Sequence, residues 1–510
     1  MTIFSNYARH IKPGKIIILI WLILFTAGLG HNLVAGYSKE NSLTPGTESV
    51  DSVNKQIKIR QIIKDADDAD PVSFTDRILS SVGLLVMLGL AFLLSKAKKM
   101  IKWRPIIIGI SLQFIFALLI LKTAPGQWIF QKLTNAVNIL LGFTEEGARF
   151  VFGNLVVNNI PVGTPLGDVN MGPIIPDATT VYANTGAFFA FNVLPTIIFF
   201  SSLMSILYHI GLMQWIVKGM AMIMHKTMKT SGAESLSAAA NIFVGQTEAP
   251  LVIRPYIDKM TTSELMAVMT GGFATIAGGV LAAYVGMLRH IFPDIAGHLI
   301  AASVMSAPAA LAIAKIMVPE TKESLTAGNV SLEVKKTNVN VIDAAAQGAG
   351  DGLKLALNVG AMILAFIALI AMFNFGIQFA GDLLGIEGLS FQKLLGWAFW
   401  PLAWIMGIPA SECMHAGQLL GEKVVLNEFI AYLHLSDWLL EAESISYRTV
   451  VILTYALCGF ANFGSIAIQL GGIGSIAPDR RADLAKLGLK AMVAGTLAGF
   501  MTATIAGMIL

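Results

Sequence analysis

The chain is short of charge. Of its 510 residues only 13% are Asp, Glu, Lys or Arg, while 55% are hydrophobic. A soluble domain carries about 25% charged residues, so a soluble fold is excluded. The net charge of +3 carries no signal for a nucleic-acid partner. Cysteine is nearly absent. Cys413 and Cys458 lie in apolar stretches without the neighbours of a metal site and read as small apolar fillers. There is no Gly-x-Ser-x-Gly, no His-Glu-x-x-His and no helical pair of aspartates of the intramembrane-protease kind, and the eight histidines are scattered. These absences argue against an enzyme. What is plentiful is hydrocarbon and glycine. A mean hydropathy of +0.70 and 48 glycines predict an all-α polytopic membrane protein whose helices pack closely or break.

Apolar runs long enough to span a bilayer are Lys15–Gly30, Ile78–Leu94, Ile106–Leu121, Phe188–Ile210, Leu265–Val285, Leu299–Val318, Leu353–Phe375, Val450–Leu470 and Leu487–Leu510. The first follows Arg9, Lys12 and Lys15 but lacks a small-x-small cleavage site, so it reads as a retained helix. Short basic loops belong to the cytoplasm. They are Lys96–Arg104, Lys218–Lys229, Lys335–Lys336 and Arg480–Arg481. By that count the arm from Asn32 to Arg77 and an irregular Pro/Gly/Asn-rich loop, Val156–Gly186, fall outside. The expected organisation is an extra helix and arm at 1–77, scaffold helices at 78–230 and a first transport half at 231–318. A cytoplasmic linker follows at 319–341, a helix and interfacial segment at 342–391 and a second transport half at 392–510.

Two apolar stretches do not fit a simple span. Ser235–Pro255 lies between Lys229 and Arg254/Lys259, so it enters and leaves on the inside. Leu394–Tyr432 lies between acidic segments counted as outside, so it re-enters from the opposite face. Two opposed re-entrant hairpins, each followed by a membrane helix, make an inverted-repeat transporter fold. The tips are read as Asn241–Pro250 and Gly407–Gly417, with Pro250 and Pro409 as breakers. A carboxylate at bilayer depth is costly, yet Glu248 and Glu412 sit at these tips. Each is either a ligand-binding group or a buried ion pair or helix cap. Gln246 and Thr247 add donors and acceptors suited to a heteroaromatic ring, or they satisfy the hairpin backbone. Two further segments read as broken helices: Cys458–Ser465, where Asn462 and Ser465 share a face, and Gly271–Gly279, which contains Thr275. The alternative for both is a close-packing glycine face.

Together these motifs resemble the concentrative nucleoside transporters. The resemblance rests on Asn241-Ile-Phe-Val-Gly-Gln-Thr-Glu-Ala-Pro-Leu251, on Gly421-Glu-Lys-Val-Val-Leu-Asn-Glu-Phe-Ile-Ala-Tyr432 and on Gly459-Phe-Ala-Asn462, in that order, and covers roughly Ser80 to Leu510. It implies that Gln246, Thr247 and Glu248 meet a nucleobase, that Glu412, Asn462 and Ser465 meet the ribose, and that Val280 and Phe460 contact the ring or gate the site. It further implies a sodium site at the side chains of Asn241 and Thr275 and the carbonyls of Val244 and Ile276. It implies no cofactor besides this coupling ion, and a homotrimer in the inner (plasma) membrane. Each protomer would couple inward cation flux to nucleoside uptake by alternating access. Proton coupling, or a nucleobase as substrate, is the alternative.

Overall fold

The computed structural model describes residues 74–156, 159–162, 181–184, 189–324 and 338–510, apart from 384, 387 and 442–444. The expected first helix and arm, and most of the expected linker, lie outside the described residues. The chain divides into two units, residues 1–53 with 157–186 and residues 54–156 with 187–510. In the first, β1 (Asn159–Val162) pairs antiparallel with β2 (Val181–Asn184), Asn159 opposite Asn184. A strand pair therefore stands in the segment expected to be irregular loop.

The second unit is helical. In chain order it contains α1 (Phe74–Leu93), α2 (Trp103–Lys122), α3 (Ala124–Phe152), α4 (Leu194–Ile210), α5 (Leu212–Met228), α6 (Gly232–Asn241), α7 (Ala249–Val252), α8 (Thr262–Ala274) and α9 (Gly278–Leu288). There follow α10 (Ile295–Met317), α11 (Val341–Leu383), α12 (Phe391–Ile405), α13 (Cys413–Val425), α14 (Glu428–Glu441), α15 (Tyr447–Leu457), α16 (Phe463–Ile476) and α17 (Arg481–Ile509). Among the described residues, seven helical spans are long and apolar enough to cross a membrane. The α8–α9 span, α10 and α17 are largely buried, whereas α1, α2, α4 and α11 turn most of their apolar surface outward. An apolar exterior is what a multi-pass membrane protein presents to lipid.

Two elements depart from the hydropathy reading. The 29-residue α3 is amphipathic and carries Lys132, Glu145, Glu146 and Arg149, so no purely apolar run announces it. α11 is 43 residues long, well beyond the expected Leu353–Phe375. Its extra turns pack on α4 through a small-residue seam. A Cβ on Gly352 would stand 2.8 Å from the Ile198 Cα, and the Ser202 hydroxyl donates to the Ala345 carbonyl at 2.9 Å.

The three described basic loops, Lys96–Arg104, Lys218–Lys229 and Arg480–Arg481, gather at one end of this unit, as a cytoplasmic face requires. The Lys96 N–H meets the Met317 carbonyl at the end of α10. Arg480 Nη1 donates to the Met260 carbonyl at 2.7 Å. Both legs of the first hairpin are anchored here. At the start of α6, Ser231 and Glu234 form a reciprocal cap, and Glu234 is buried against Lys315 of α10 at 2.6 Å. The same ammonium donates to Ser263 of α8 at 3.0 Å.

Replacing Lys315 by Met leaves Glu234 buried without its cation, a change that costs about 3–5 kcal/mol when one partner of a buried pair is removed. Lys315→Met should lower the thermal midpoint of the detergent-solubilised protein clearly, and adding Glu234→Gln should restore most of the loss. Equal midpoints for the single and double variants would remove the ion pair from this role.

Candidate functional site

Two hairpin tips and two helix breaks meet inside the helical unit. The first tip runs from Ile242 to Glu248, between α6 and α7, and Pro250 sits in the first turn of α7, where its missing N–H costs nothing. The first break, Thr275–Ala277, separates α8 from α9, and the second, Cys458–Asn462, separates α15 from α16. The backbone groups freed at these interruptions satisfy one another. The Gly278 N–H donates to the Phe243 carbonyl at 3.1 Å, and the Phe460 N–H to the Thr275 carbonyl at 3.4 Å. Gly459 has φ +145°, and a Cβ there would stand 2.9 Å from the Phe273 carbonyl oxygen. Only glycine serves at that crossing.

The first tip sits on one face of α16. Gln246 Nε2 donates to Ser465 Oγ at 3.1 Å. Gln469 Nε2, one turn on, donates to Gln246 Oε1 at 3.1 Å. Thr247 packs over Gly472, where a Cβ would stand 2.6 Å from its methyl carbon. Thr247 Oγ1 donates to Glu248 Oε1 at 2.9 Å, and Glu248 is exposed. Gln246, Thr247, Glu248 and Ser465 are therefore brought together.

The second tip is not where the sequence reading put it. The turn Met406–Glu412 lies at the open end of the hairpin, beside the start of α15. There Glu412 accepts the Ser446 N–H and hydroxyl, each at 2.9 Å. No hydrogen bond joins Glu412 to Asn462 or Ser465. The interruption at depth is Leu426–Asn427, between α13 and α14, with Asn427 Oδ1 accepting the Ile430 N–H at 2.9 Å. The carboxylate at that tip is Glu428, 5% exposed. It accepts Asn462 Nδ2 at 3.0 Å and the Tyr284 hydroxyl at 3.0 Å. Asn462 also caps α16, its Oδ1 accepting the Ser465 N–H at 2.8 Å. Nearby, the buried Lys423 donates to the Ala456 carbonyl at 2.9 Å, at the end of α15 where the helix dipole favours a cation.

The hairpins open at opposite ends. The α15–α16 helix crosses the unit, starting at Ser446 beside the turn Met406–Glu412 and ending near Arg480, which holds the exit segment of the first hairpin through the Ile257, Asp258 and Met260 carbonyls. Val280 is buried in the first turn of α9 and Phe460 is half-buried in the second break. His415 stacks on Trp438 with ring centroids 5.2 Å apart.

Asn241 and Thr275 lie together at the foot of the first tip. Asn241 Nδ2 donates to the Ser237 carbonyl at 3.1 Å, and a Cβ on the adjoining Gly271 would stand 3.1 Å from the same nitrogen. Thr275 Oγ1 donates to the Gly271 carbonyl at 2.9 Å, leaving its lone pairs free. Asn241 is 1% exposed, yet its Oδ1 has no partner. A buried acceptor without a donor costs about 1–3 kcal/mol, which a small hard cation would offset. Val244 lies on the tip and Ile276 in the break. Among the described residues, no cluster of three His, Cys, Asp or Glu side chains could hold a metal.

Opposed re-entrant hairpins and two broken helices that meet at depth define a membrane carrier of the inverted-repeat class. Three family models match the chain: the N-terminus (82–155) and C-terminus (298–507) of the Na+-dependent nucleoside transporters, and a nucleoside-recognition "gate" domain (190–290). The sodium/nucleoside cotransporter 1 of Mus musculus is 40% identical over 453 residues, which are 86% of this chain and 65% of the mouse protein. The chain thus spans about two thirds of the length of that curated relative. An uncharacterized transporter of Haemophilus influenzae is 43% identical over 84% of this chain and 97% of its own length. The structure of CNTnw in an inward-facing, substrate-bound state superposes with TM-score 0.75 at 43% identity, covering 85% of this chain and 97% of that one. The chain belongs to the concentrative nucleoside transporter family, whose members are carriers and not enzymes.

The placement of the second hairpin can be checked by labelling. Both native cysteines are buried, so added ones can be read against a quiet background. In intact cells, Ser411→Cys should react with a membrane-impermeant maleimide from outside, and Asn427→Cys should not. The reverse pattern would return the tip to Gly407–Gly417.

Proposed function

We infer that the chain is a secondary active symporter in the inner (plasma) membrane that couples inward sodium flux to nucleoside uptake. The observation that carries the ion assignment is the orphan Oδ1 of Asn241 beside the Thr275 hydroxyl, at the base of the tip that presents Gln246, Thr247 and Glu248. The carbonyls of Val244 and Ile276 complete the proposed oxygen set. Gln246, Thr247 and Glu248 take the base, and Val280 and Phe460 line the ring. The ribose hydroxyls go to Asn462, Ser465 and a carboxylate. Glu428 replaces Glu412 in that last role, because Glu428 is the one bonded to Asn462.

A neutral nucleoside gains nothing from the membrane potential. One coupled charge gains about 2.3 kcal/mol per 100 mV, roughly a fiftyfold accumulation at 1.4 kcal/mol per decade. In this reading residues 231–318 and 392–510 form the moving transport region, and 78–230 with 342–391 the scaffold. α4 and α11 supply the fixed wall on which the transport region slides, and three copies assemble through the scaffold. The sealed contact of small residues between α4 and α11 supports a rigid element there. Chemical cross-linking in membranes should give a trimer ladder.

In proteoliposomes, an inward sodium gradient should drive uridine or adenosine uptake and a proton gradient alone should not. Proton-driven uptake at zero sodium would replace sodium with the proton. Asn241→Ala should raise the sodium concentration for half-maximal uptake at least tenfold. Charged hydrogen bonds are worth about 1.5–3 kcal/mol, so Glu428→Gln should weaken uridine more than tenfold in competition. Glu412→Gln should change it by less than threefold. Equal losses in the two variants would restore Glu412 to the site.

A further inference from the structure

We propose that Gln469 is a positioning residue that sets the hydrogen-bonding polarity Gln246 shows to the base, and so selects which base edge the carrier accepts. The inference rests on the nucleoside reading above. Gln469 is fully buried on α16, one turn after Ser465. Its Nε2 donates to two acceptors, the Met269 backbone carbonyl at 3.1 Å and Gln246 Oε1 at 3.1 Å. A backbone carbonyl can only accept, so it fixes the Gln469 amide with nitrogen towards Met269. That nitrogen has a second hydrogen, which can be met only by the oxygen of Gln246. The Gln246 amide is thereby turned so that its nitrogen faces Ser465, to which it donates at 3.1 Å. One of its two hydrogens is left over. Gln246 consequently offers the base a donor and keeps its oxygen turned away.

The packing supports the same arrangement. A Cβ on Gly272 of α8 would stand 2.7 Å from Gln469 Nε2 and 2.9 Å from Gln246 Cβ. The two amides are pressed into a space that glycine alone leaves, so neither can turn without the other. The Gln469 Oε1 is buried without a donor. This residual cost is accepted so that Nε2 can serve both acceptors.

Replacing Gln469 by Glu breaks the relay. A carboxyl group has at most one hydrogen and cannot serve both the Met269 carbonyl and Gln246 Oε1. Gln246 then turns to donate to the new carboxyl group and presents its oxygen to the base. Gln469→Met removes both donors and leaves the Gln246 amide free to take either orientation.

Uridine and cytidine differ by exchange of donor and acceptor on one ring edge, as do inosine and adenosine. The measurement is the ratio of apparent KM within each pair, in proteoliposomes carrying the wild type and the two variants. For at least one pair, Gln469→Glu should shift the ratio about tenfold, the effect of one mismatched buried hydrogen bond. Gln469→Met should bring the wild-type ratio towards unity. A purely structural role would change uptake of all four nucleosides alike. Ratios within twofold of wild type in whichever variant is transport-competent would overturn the inference. Failure of the wild type to carry any of the four would instead overturn the nucleoside reading.

Discussion

The constraint on which the rest depends is that no backbone polar group inside a membrane protein can go unpaired. Each break in a helix, and each re-entrant tip, frees N–H and C=O groups that lipid cannot satisfy. Here the interruptions answer one another: tip to break at Phe243–Gly278, and break to break at Thr275–Phe460. Side chains extend the same pattern, with Asn427 and Asn462 capping the half-helices that start at depth. The interruptions are therefore stable only as a group, and what makes them stable also gathers amides, hydroxyls and a carboxylate at one place.

This explains which parts were legible in the sequence. The first tip, with Gly245, Pro250 and three consecutive polar residues, interrupts an alanine-rich apolar stretch, and both breaks are marked by glycines around a single polar residue. The second tip carries no such mark. Asn427 and a distorted Leu426 suffice to turn the chain, without glycine or proline. The conspicuous Gly407, Pro409 and Glu412 belong to a turn at the hairpin's open end. Breakers show that the chain turns, but not at what depth. The signal that could have located the tip was Glu428 directly after a capping asparagine, with Lys423 one turn before, both in an apolar run. α3 escaped notice for another reason, since its charges break the apolar run that a hydropathy scan seeks.

The carboxylates divide by environment. Glu248 is exposed and held only by its neighbour Thr247, so it can meet a ligand without first losing strong partners. Glu428 is buried and held in place by Tyr284 and Asn462. It is preorganised, and in the proposed reading a ribose diol adds donors to an oxygen pair already fixed in orientation. Preorganisation of this kind lowers the ordering cost of binding. Tyr284 stacks on Tyr432 at 4.3 Å, which ties the carboxylate to α9 and α14 together. The position of Glu428 therefore depends on both hairpin and broken helix being in register.

The proposed coupling of ion to nucleoside follows from the shortness of the first tip. Asn241 ends α6, and Gln246 lies five residues later on the same turn. On the facing helix their counterparts are adjacent: Gly271 lies against the Asn241 amide, and Gly272 against Gln246 and Gln469. In the proposed reading, a cation bound by Asn241 Oδ1 and Thr275 Oγ1 would draw the end of α6 against the α8 break. The tip cannot follow that movement without moving Gln246 across Gly272. A ligand shifts an equilibrium only by its difference in affinity for the two states. In this arrangement the difference arises because the ion and the base each need the same tip closed on the same two glycines. Neither site has to touch the other for binding at one to favour binding at the other.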